Sequence, residues 1–136
     1  MSRSLHVLLL EDNPADAELI LHELRRAGYD PTWQRVETEQ DFRAQLATAP
    51  EIILADYALP QFDALRALQI VQARGVDSPL IVLTGAVSEE AAVACMRQGA
   101  ADYLLKDRLS RLGAAVERAL SAHRLQVQQR QAQDQV

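Results

Sequence analysis

The chain has 136 residues, of which 49% are hydrophobic, and its formal net charge is −5 at pH 7. This length suits one domain with a single core, and the hydrophobic fraction excludes an intrinsically disordered chain. The negative charge argues against nucleic acid as a partner, and no apolar run is long enough for membrane insertion. The single cysteine, Cys95, cannot form an internal disulfide, so we expect a reducing, cytoplasmic environment.

Five strands alternate with five helices along the chain. The predicted strands cover residues 5–10, 32–36, 52–55, 80–83 and 103–105. Asn13, Thr38 and Ser88 stand where a side-chain oxygen can cap the start of a helix. Gly28 and Gly99 stand where a glycine can close one. The last helix is predicted to run from about residue 110 into a glutamine-rich tail.

The alternation of strands and helices predicts an α/β fold, with a parallel sheet that carries helices on both faces. The first, third and fourth strands are continuous apolar runs, which places them in the centre of the sheet. The second strand alternates polar and apolar residues, as an edge strand does. We expect residues 1–124 to form one domain, and residues 125–136 to form an extension of the last helix or a disordered tail.

Charged and polar side chains follow the apolar parts of four predicted strands. They are Glu11 and Asp12 after the first strand, Asp56 after the third, Thr84 after the fourth and Lys106 after the fifth. In open parallel sheets, ligands bind beyond the carboxyl ends of the strands. Three carboxylates there are costly unless positive charge balances them. One divalent cation and one lysine ammonium would do so, and oxygen ligands suit Mg²⁺.

Four short motifs carry a family resemblance. They are EDN at residues 11–13, DYALPQFDAL at 56–65, LTGA at 83–86 and GAADYLLKD at 99–107. In this order and spacing, the sequence resembles the receiver domains of two-component response regulators. The resemblance covers about residues 4–124. It implies a flavodoxin-like fold, with a five-stranded parallel sheet in the order 2-1-3-4-5 and five helices on its two faces.

The resemblance also implies a magnesium site. Asp12 and Asp56 would bind Mg²⁺ directly, together with the backbone carbonyl of Ala58. Glu11 would act on the cation through a bound water.

The implied chemistry is phosphoryl transfer. Asp56 would accept a phosphoryl group from a histidine kinase or a histidine phosphotransfer protein, and Lys106 would contact the phosphoryl oxygens. Thr84 would donate a hydrogen bond to the attached group, and Tyr103 matches the aromatic residue that turns inward in the active state. The chain would then be a signalling switch that acts on a downstream protein. It would catalyse only its own phosphotransfer and dephosphorylation.

The sequence departs from the family pattern at several positions. Asp107 replaces the proline that usually follows the lysine, so we predict a trans Lys106–Asp107 peptide, with Asp107 or Ser110 capping the last helix. The last helix is also where a homodimer would form. The resemblance places the side chains of Ala58 and Ala86 beside the path of the attacking water. Neither alanine can orient a water molecule, which predicts slow self-dephosphorylation. Ala64 replaces the family's usual glycine.

Other functional classes stay open at this level. The chain is either a stand-alone regulator or a receiver module from a hybrid kinase or multidomain regulator. A flavin-binding electron carrier shares the sheet order, but the acidic EDNPAD loop would repel the flavin phosphate. Metal-dependent phosphatases with an aspartate nucleophile commonly carry a second acid two residues later, where this chain has Ala58.

Overall fold

The computed structural model describes residues 2–60, 62–86 and 88–134. The strands are β1 (Arg3–Leu10), β2 (Tyr29–Val36), β3 (Ile52–Asp56), β4 (Leu80–Thr84) and β5 (Asp102–Leu105). The helices are α1 (Pro14–Arg26), α2 (Glu39–Leu46), α3 (Ala64–Ala73), α4 (Glu89–Arg97) and α5 (Leu112–Asp134). A 3₁₀ segment, Lys106–Arg111, joins β5 to α5.

The strands form one parallel sheet in the order β2-β1-β3-β4-β5, which confirms the predicted fold class and the edge position of β2. Leu10 of β1 pairs with Ala55 of β3, and Asp56 pairs with Leu83 of β4. Because the strands are parallel, the residues that follow them meet at one edge of the sheet. The register therefore brings Glu11, the residue after Leu10, level with Asp56.

The hydrophobic core has two layers, one on each face of the sheet. Alternate residues of β1 supply both layers, since successive strand side chains point to opposite faces. Leu8 and Leu10 pack with Phe42 of α2, with α3 and with the fully buried Cys95 of α4. The opposite layer packs Leu9 and its neighbours against α1 and α5. Helices thus pack on both faces of the sheet beneath its carboxyl edge.

The predicted helix caps are confirmed. The Asn13 side chain accepts hydrogen bonds from the first turn of α1, at 2.9 Å from the nearer backbone nitrogen. Thr38 and Ser88 accept the corresponding bonds at the starts of α2 and α4. Gly28 and Gly99 follow the ends of α1 and α4 with φ of 95° and 105°, a left-handed conformation that glycine adopts without strain.

The connection between β5 and α5 differs from the predicted one. The Lys106–Asp107 peptide is trans as expected, and no cis peptide occurs in the described ranges. The capping prediction was wrong, because Asp107 and Ser110 both lie inside the 3₁₀ segment, which itself begins after Leu105 without a side-chain cap. Arg108 leaves helical geometry inside this segment, with φ of −125° and ψ of 38°. Helix α5 therefore begins only at Leu112.

Helix α5 is the longest helix described, with 23 residues. The described part of the predicted tail, residues 125–134, continues this helix, whereas residues 135 and 136 lie outside the described ranges. Among the described residues, no helix has the length and apolar character needed to cross a membrane.

Candidate functional site

The Lys106 ammonium lies among three carboxylates at the carboxyl edge of the sheet. Its nitrogen donates hydrogen bonds to Glu11 Oε1 at 2.5 Å, to Asp16 Oδ2 at 2.8 Å and to Asp56 Oδ2 at 2.9 Å. A lysine ammonium has three N–H donors, and each of them reaches a different carboxylate here. These contacts bring together the residue after β1, the first turn of α1, the end of β3 and the start of the 3₁₀ segment at a single charged centre.

The local backbone aims the Glu11 carboxylate into the site. The Glu11 amide donates to the Val36 carbonyl at 3.1 Å, and the Glu11 carbonyl accepts from the Arg35 guanidinium at 3.1 Å. The second carboxylate oxygen of Glu11, Oε2, accepts a hydrogen bond from the backbone N–H of Asn13 at 3.3 Å. With the backbone held on both sides, the Glu11 side chain extends toward Lys106.

Burial gives this cluster its electrostatic character. Glu11 is only 1% exposed and Asp56 is 8% exposed. Burial raises the pKa of Glu11 to about 7, and the neighbouring Asp56 charge raises it too, while Lys106 acts in the opposite direction. Burial alone would lower the pKa of Lys106, but its bonds to Asp16, Glu11 and Asp56 outweigh burial and raise it. Lys106 therefore stays protonated, yet one ammonium is shared among three acids.

The acidic residues fit a small divalent cation. Glu11, Asp12 and Asp56 each offer a carboxylate oxygen, and these oxygens lie within 4.8 Å of one another. Asp12 is exposed and joins two buried carboxylates, so a cation could enter from solvent. Hard oxygen donors that leave room for bound waters are the set that Mg²⁺ prefers.

The loop after β3 lies against Asp56. The Ala58 amide donates to Asp56 Oδ1 at 3.0 Å, so each oxygen of this carboxylate has a different partner. The use of the Ala58 carbonyl as a metal ligand remains a prediction.

Thr84 and Tyr103 come together at a second centre, around Ala86. The buried Thr84 hydroxyl donates to the Ala86 carbonyl and accepts from the Ala86 amide, both at 3.3 Å. The Tyr103 hydroxyl reaches the same carbonyl at 3.5 Å, and burial raises the pKa of this half-buried phenol. A movement of the loop at Ala86 would therefore change the hydrogen bonds of both side chains.

Asp16 is a member of the charged cluster that the sequence prediction missed. It stands in the first turn of α1, three residues after the cap Asn13. The predicted charge balance counted the carboxylates of Glu11, Asp12 and Asp56 against one divalent cation and Lys106. It therefore left out the carboxylate of Asp16. Its place at the start of the helix that follows the acidic pair was the available signal, because that turn faces the same edge of the sheet.

Comparison with known proteins identifies the family. A sequence model of the response regulator receiver domain matches residues 7–117. The chain belongs to the response regulator receiver domain family. Receiver domains serve phosphorylation-dependent signalling in two-component systems, and they generally bind Mg²⁺.

Curated relatives of this receiver domain are larger regulators. The chain is 35% identical over 106 residues to the DNA-binding transcriptional regulator NtrC of Salmonella typhimurium. The aligned region covers 76% of this chain and 23% of NtrC. It is 34% identical over 130 residues to the C4-dicarboxylate transport transcriptional regulatory protein DctD of Pseudomonas aeruginosa. This second aligned region covers 91% of this chain and 27% of DctD. The receiver domain thus spans about a quarter of the length of these relatives.

Solved structures agree with the family assignment. The signal receiver domain of a Luxo repressor protein from Vibrio parahaemolyticus is 27% identical, with a TM-score of 0.79, over 90% of this chain and 95% of that one. The receiver domain of a signal transduction histidine kinase from Syntrophus aciditrophicus is 26% identical, with a TM-score of 0.72, over 87% of this chain and 91% of that one. Receiver domains of this fold therefore occur in both regulators and kinases.

Proposed function

We propose that Asp56 is the phosphoryl acceptor of this receiver domain, and that a histidine kinase or a histidine phosphotransfer protein is the donor. The observation that carries the proposal is the position of the Asp56 carboxylate. It ends a central strand, contacts the Lys106 ammonium at 2.9 Å and lies beside the carboxylates of Glu11 and Asp12. A carboxylate nucleophile, a fixed cation and a candidate metal site are the parts that phosphoryl transfer needs.

The proposed transfer exchanges one bond to phosphorus for another. An Asp56 carboxylate oxygen attacks the phosphorus of the phosphohistidine, a P–O bond forms and the P–N bond breaks. The imidazole nitrogen leaves with the electron pair of that bond. Lys106 is held close enough to Asp56 to donate to the oxygens of the arriving group, which concentrate negative charge in the transition state.

Asp12 and Asp56 would hold Mg²⁺, with the Ala58 carbonyl as a further ligand and Glu11 acting through a bound water. When bound, the cation neutralises charge on the phosphoryl oxygens. The protein supplies the oxygen donors already gathered at one edge of the sheet.

Thr84 and Tyr103 are the proposed conformational switch. A phosphoryl group on Asp56 adds negative charge and strong acceptors next to the end of β4. The Thr84 hydroxyl, now bonded to Ala86, could turn to this new acceptor and release the loop that Tyr103 also contacts. The half-buried Tyr103 ring would then move inward, which changes the surface that a downstream protein reads.

The remaining activity we assign is self-dephosphorylation, which we expect to be slow. Water attacks phosphorus, the P–O bond to Asp56 breaks, and phosphate and a proton are released as the carboxylate returns. Ala58 and Ala86 are both exposed at this edge, and neither has a polar side chain to orient the water.

The proposed biological setting is a cytoplasmic two-component pathway, with residues 1–124 as the receiver domain. Both stand-alone use and use as a module of a hybrid kinase or multidomain regulator are compatible with the relatives. A homodimer through α5 is a further proposal, supported by a helix that continues to Asp134 with Leu125 59% exposed. Neither nucleic acid nor the membrane is a proposed partner of this domain.

The acceptor is tested by labelling with a small acyl phosphate donor. The native protein should become labelled in Mg²⁺ and should lose labelling when the cation is chelated. Asp56→Asn keeps the shape of the side chain but removes the nucleophile, so it should not be labelled. Asp30→Asn changes an exposed aspartate of β2 in the same way and should behave as native. Alkali-labile label on Asp56→Asn would place the acceptor elsewhere.

A further inference from the structure

Of the three carboxylates that contact Lys106 in the described part of the chain, Asp16 is the one that the proposed chemistry does not use. Of the three carboxylates on the ammonium, Glu11 and Asp56 also belong to the group that fits a metal ion. Asp16 bonds the same nitrogen at 2.8 Å from a different element, the first turn of α1. The Asn13 cap fixes that turn, so the Asp16 backbone has a defined place beside the site.

The ammonium and a cation would compete for the same carboxylates. Lys106 occupies Glu11 Oε1 and Asp56 Oδ2, and its side chain is only 17% exposed. If the ammonium moved away from both carboxylates, it would lose two charge-assisted hydrogen bonds. Water replaces such bonds poorly, because Lys106 is largely buried. A partner outside the metal group removes this difficulty, because the ammonium then keeps one ion pair throughout.

We infer that Asp16 is a positioning residue that holds the Lys106 ammonium in the site while Glu11 and Asp56 turn to the cation. The inference rests on the proposed function, since it takes the acidic group to be a Mg²⁺ site. The retained contact lowers the free energy needed to displace the ammonium, so it strengthens Mg²⁺ binding. It also keeps Lys106 beside Asp56 for the phosphoryl oxygens. A lysine side chain is flexible, and a fixed partner reduces the number of places it can occupy.

Two simpler roles for Asp16 predict a different dependence on Lys106. A carboxylate in the first turn of a helix stabilises the helix through its dipole. A fourth negative charge near the site would also attract any cation through space. Neither effect requires Lys106, whereas positioning acts only through the ammonium. The coupling between the two residues therefore separates the positioning role from both alternatives.

The test is a double-mutant cycle on Mg²⁺ affinity, measured by titration calorimetry on the unphosphorylated full chain. Asp16→Ala should weaken Mg²⁺ binding by about three- to tenfold, less than a fully buried hydrogen bond to a charged group would give, because the Asp16 side chain is 32% exposed. In a Lys106→Met background, the same change should have an effect of about twofold or less. Asp16→Glu, which retains the carboxylate, should recover part of the loss. Thermal unfolding of each variant checks that the fold is kept.

Glu18→Gln is the matched control, because it removes one exposed negative charge from the same helix without touching Lys106. It should leave Mg²⁺ affinity close to native. An equal loss from Asp16→Ala in both backgrounds would overturn positioning in favour of simple charge attraction, and no loss in either would overturn it altogether. A native protein that binds no Mg²⁺ would instead refute the proposed metal site, and the inference with it.

Discussion

Adding water-orienting side chains should shorten the lifetime of phosphorylated Asp56. The perturbation is Ala58→Asn together with Ala86→Glu, at two exposed positions beside the acceptor strand and the Thr84 loop. Each new side chain can make one hydrogen bond to the attacking water, with a net value of about 0.5–1 kcal/mol at an exposed position. The two bonds together lower the barrier by about 1–2 kcal/mol, which corresponds to a roughly five- to thirtyfold faster decay.

The assay follows loss of phosphate from purified, labelled protein after the donor is removed, at fixed Mg²⁺. Ala86→Gln separates water orientation from the charge that glutamate adds. Ala132→Glu, at an exposed position near the end of α5, is the remote control and should leave the decay rate unchanged. Unchanged or slower decay in the double variant would mean that steric access governs hydrolysis. The reasoning from water positioning would then be wrong.

Two further predictions concern α5 and the switch. Gly113→Ala places a Cβ 2.5 Å from the Ala27 Cβ, so we expect overpacking of about 1–3 kcal/mol, partly offset by better helix propensity. Urea unfolding of Gly113→Ala, Ala27→Gly and the double variant isolates this clash as a coupling energy, and a value near zero would show that the helices are not so close. Thr84→Val should retain labelling of Asp56 but lose the response of Tyr103, measured by its ring NMR signals. A native-like shift of those signals would remove Thr84 from the switch.

Much of the fold is predictable from local sequence because each signal acts over a few residues. The side chains of Asn13, Thr38 and Ser88 accept the capping bonds that their positions predict, and the apolar strands lie in the centre of the sheet. The sheet order required the family resemblance. Strand periodicity alone shows that β2 is an edge strand, but not which strands are neighbours.

The missed features depend on contacts between distant elements. Asp16 meets Lys106 across 90 positions of sequence, and only the assembled sheet brings the start of α1 over the end of β5. The 3₁₀ segment was missed for a different reason. Capping rules favoured Asp107 or Ser110, whereas the chain turns immediately after Leu105 so that Lys106 can extend into the acidic cluster.

The most direct test of the account is chemical trapping of the phosphorylated residue. Borohydride reduces an acyl phosphate to an alcohol, so the phosphorylated aspartate becomes homoserine, which peptide mass spectrometry can locate. After labelling in Mg²⁺, the modification should map to Asp56 alone. Modification at Asp12 or Asp16 instead, with Asp56 unchanged, would contradict the assignment of Asp56 as the phosphoryl acceptor.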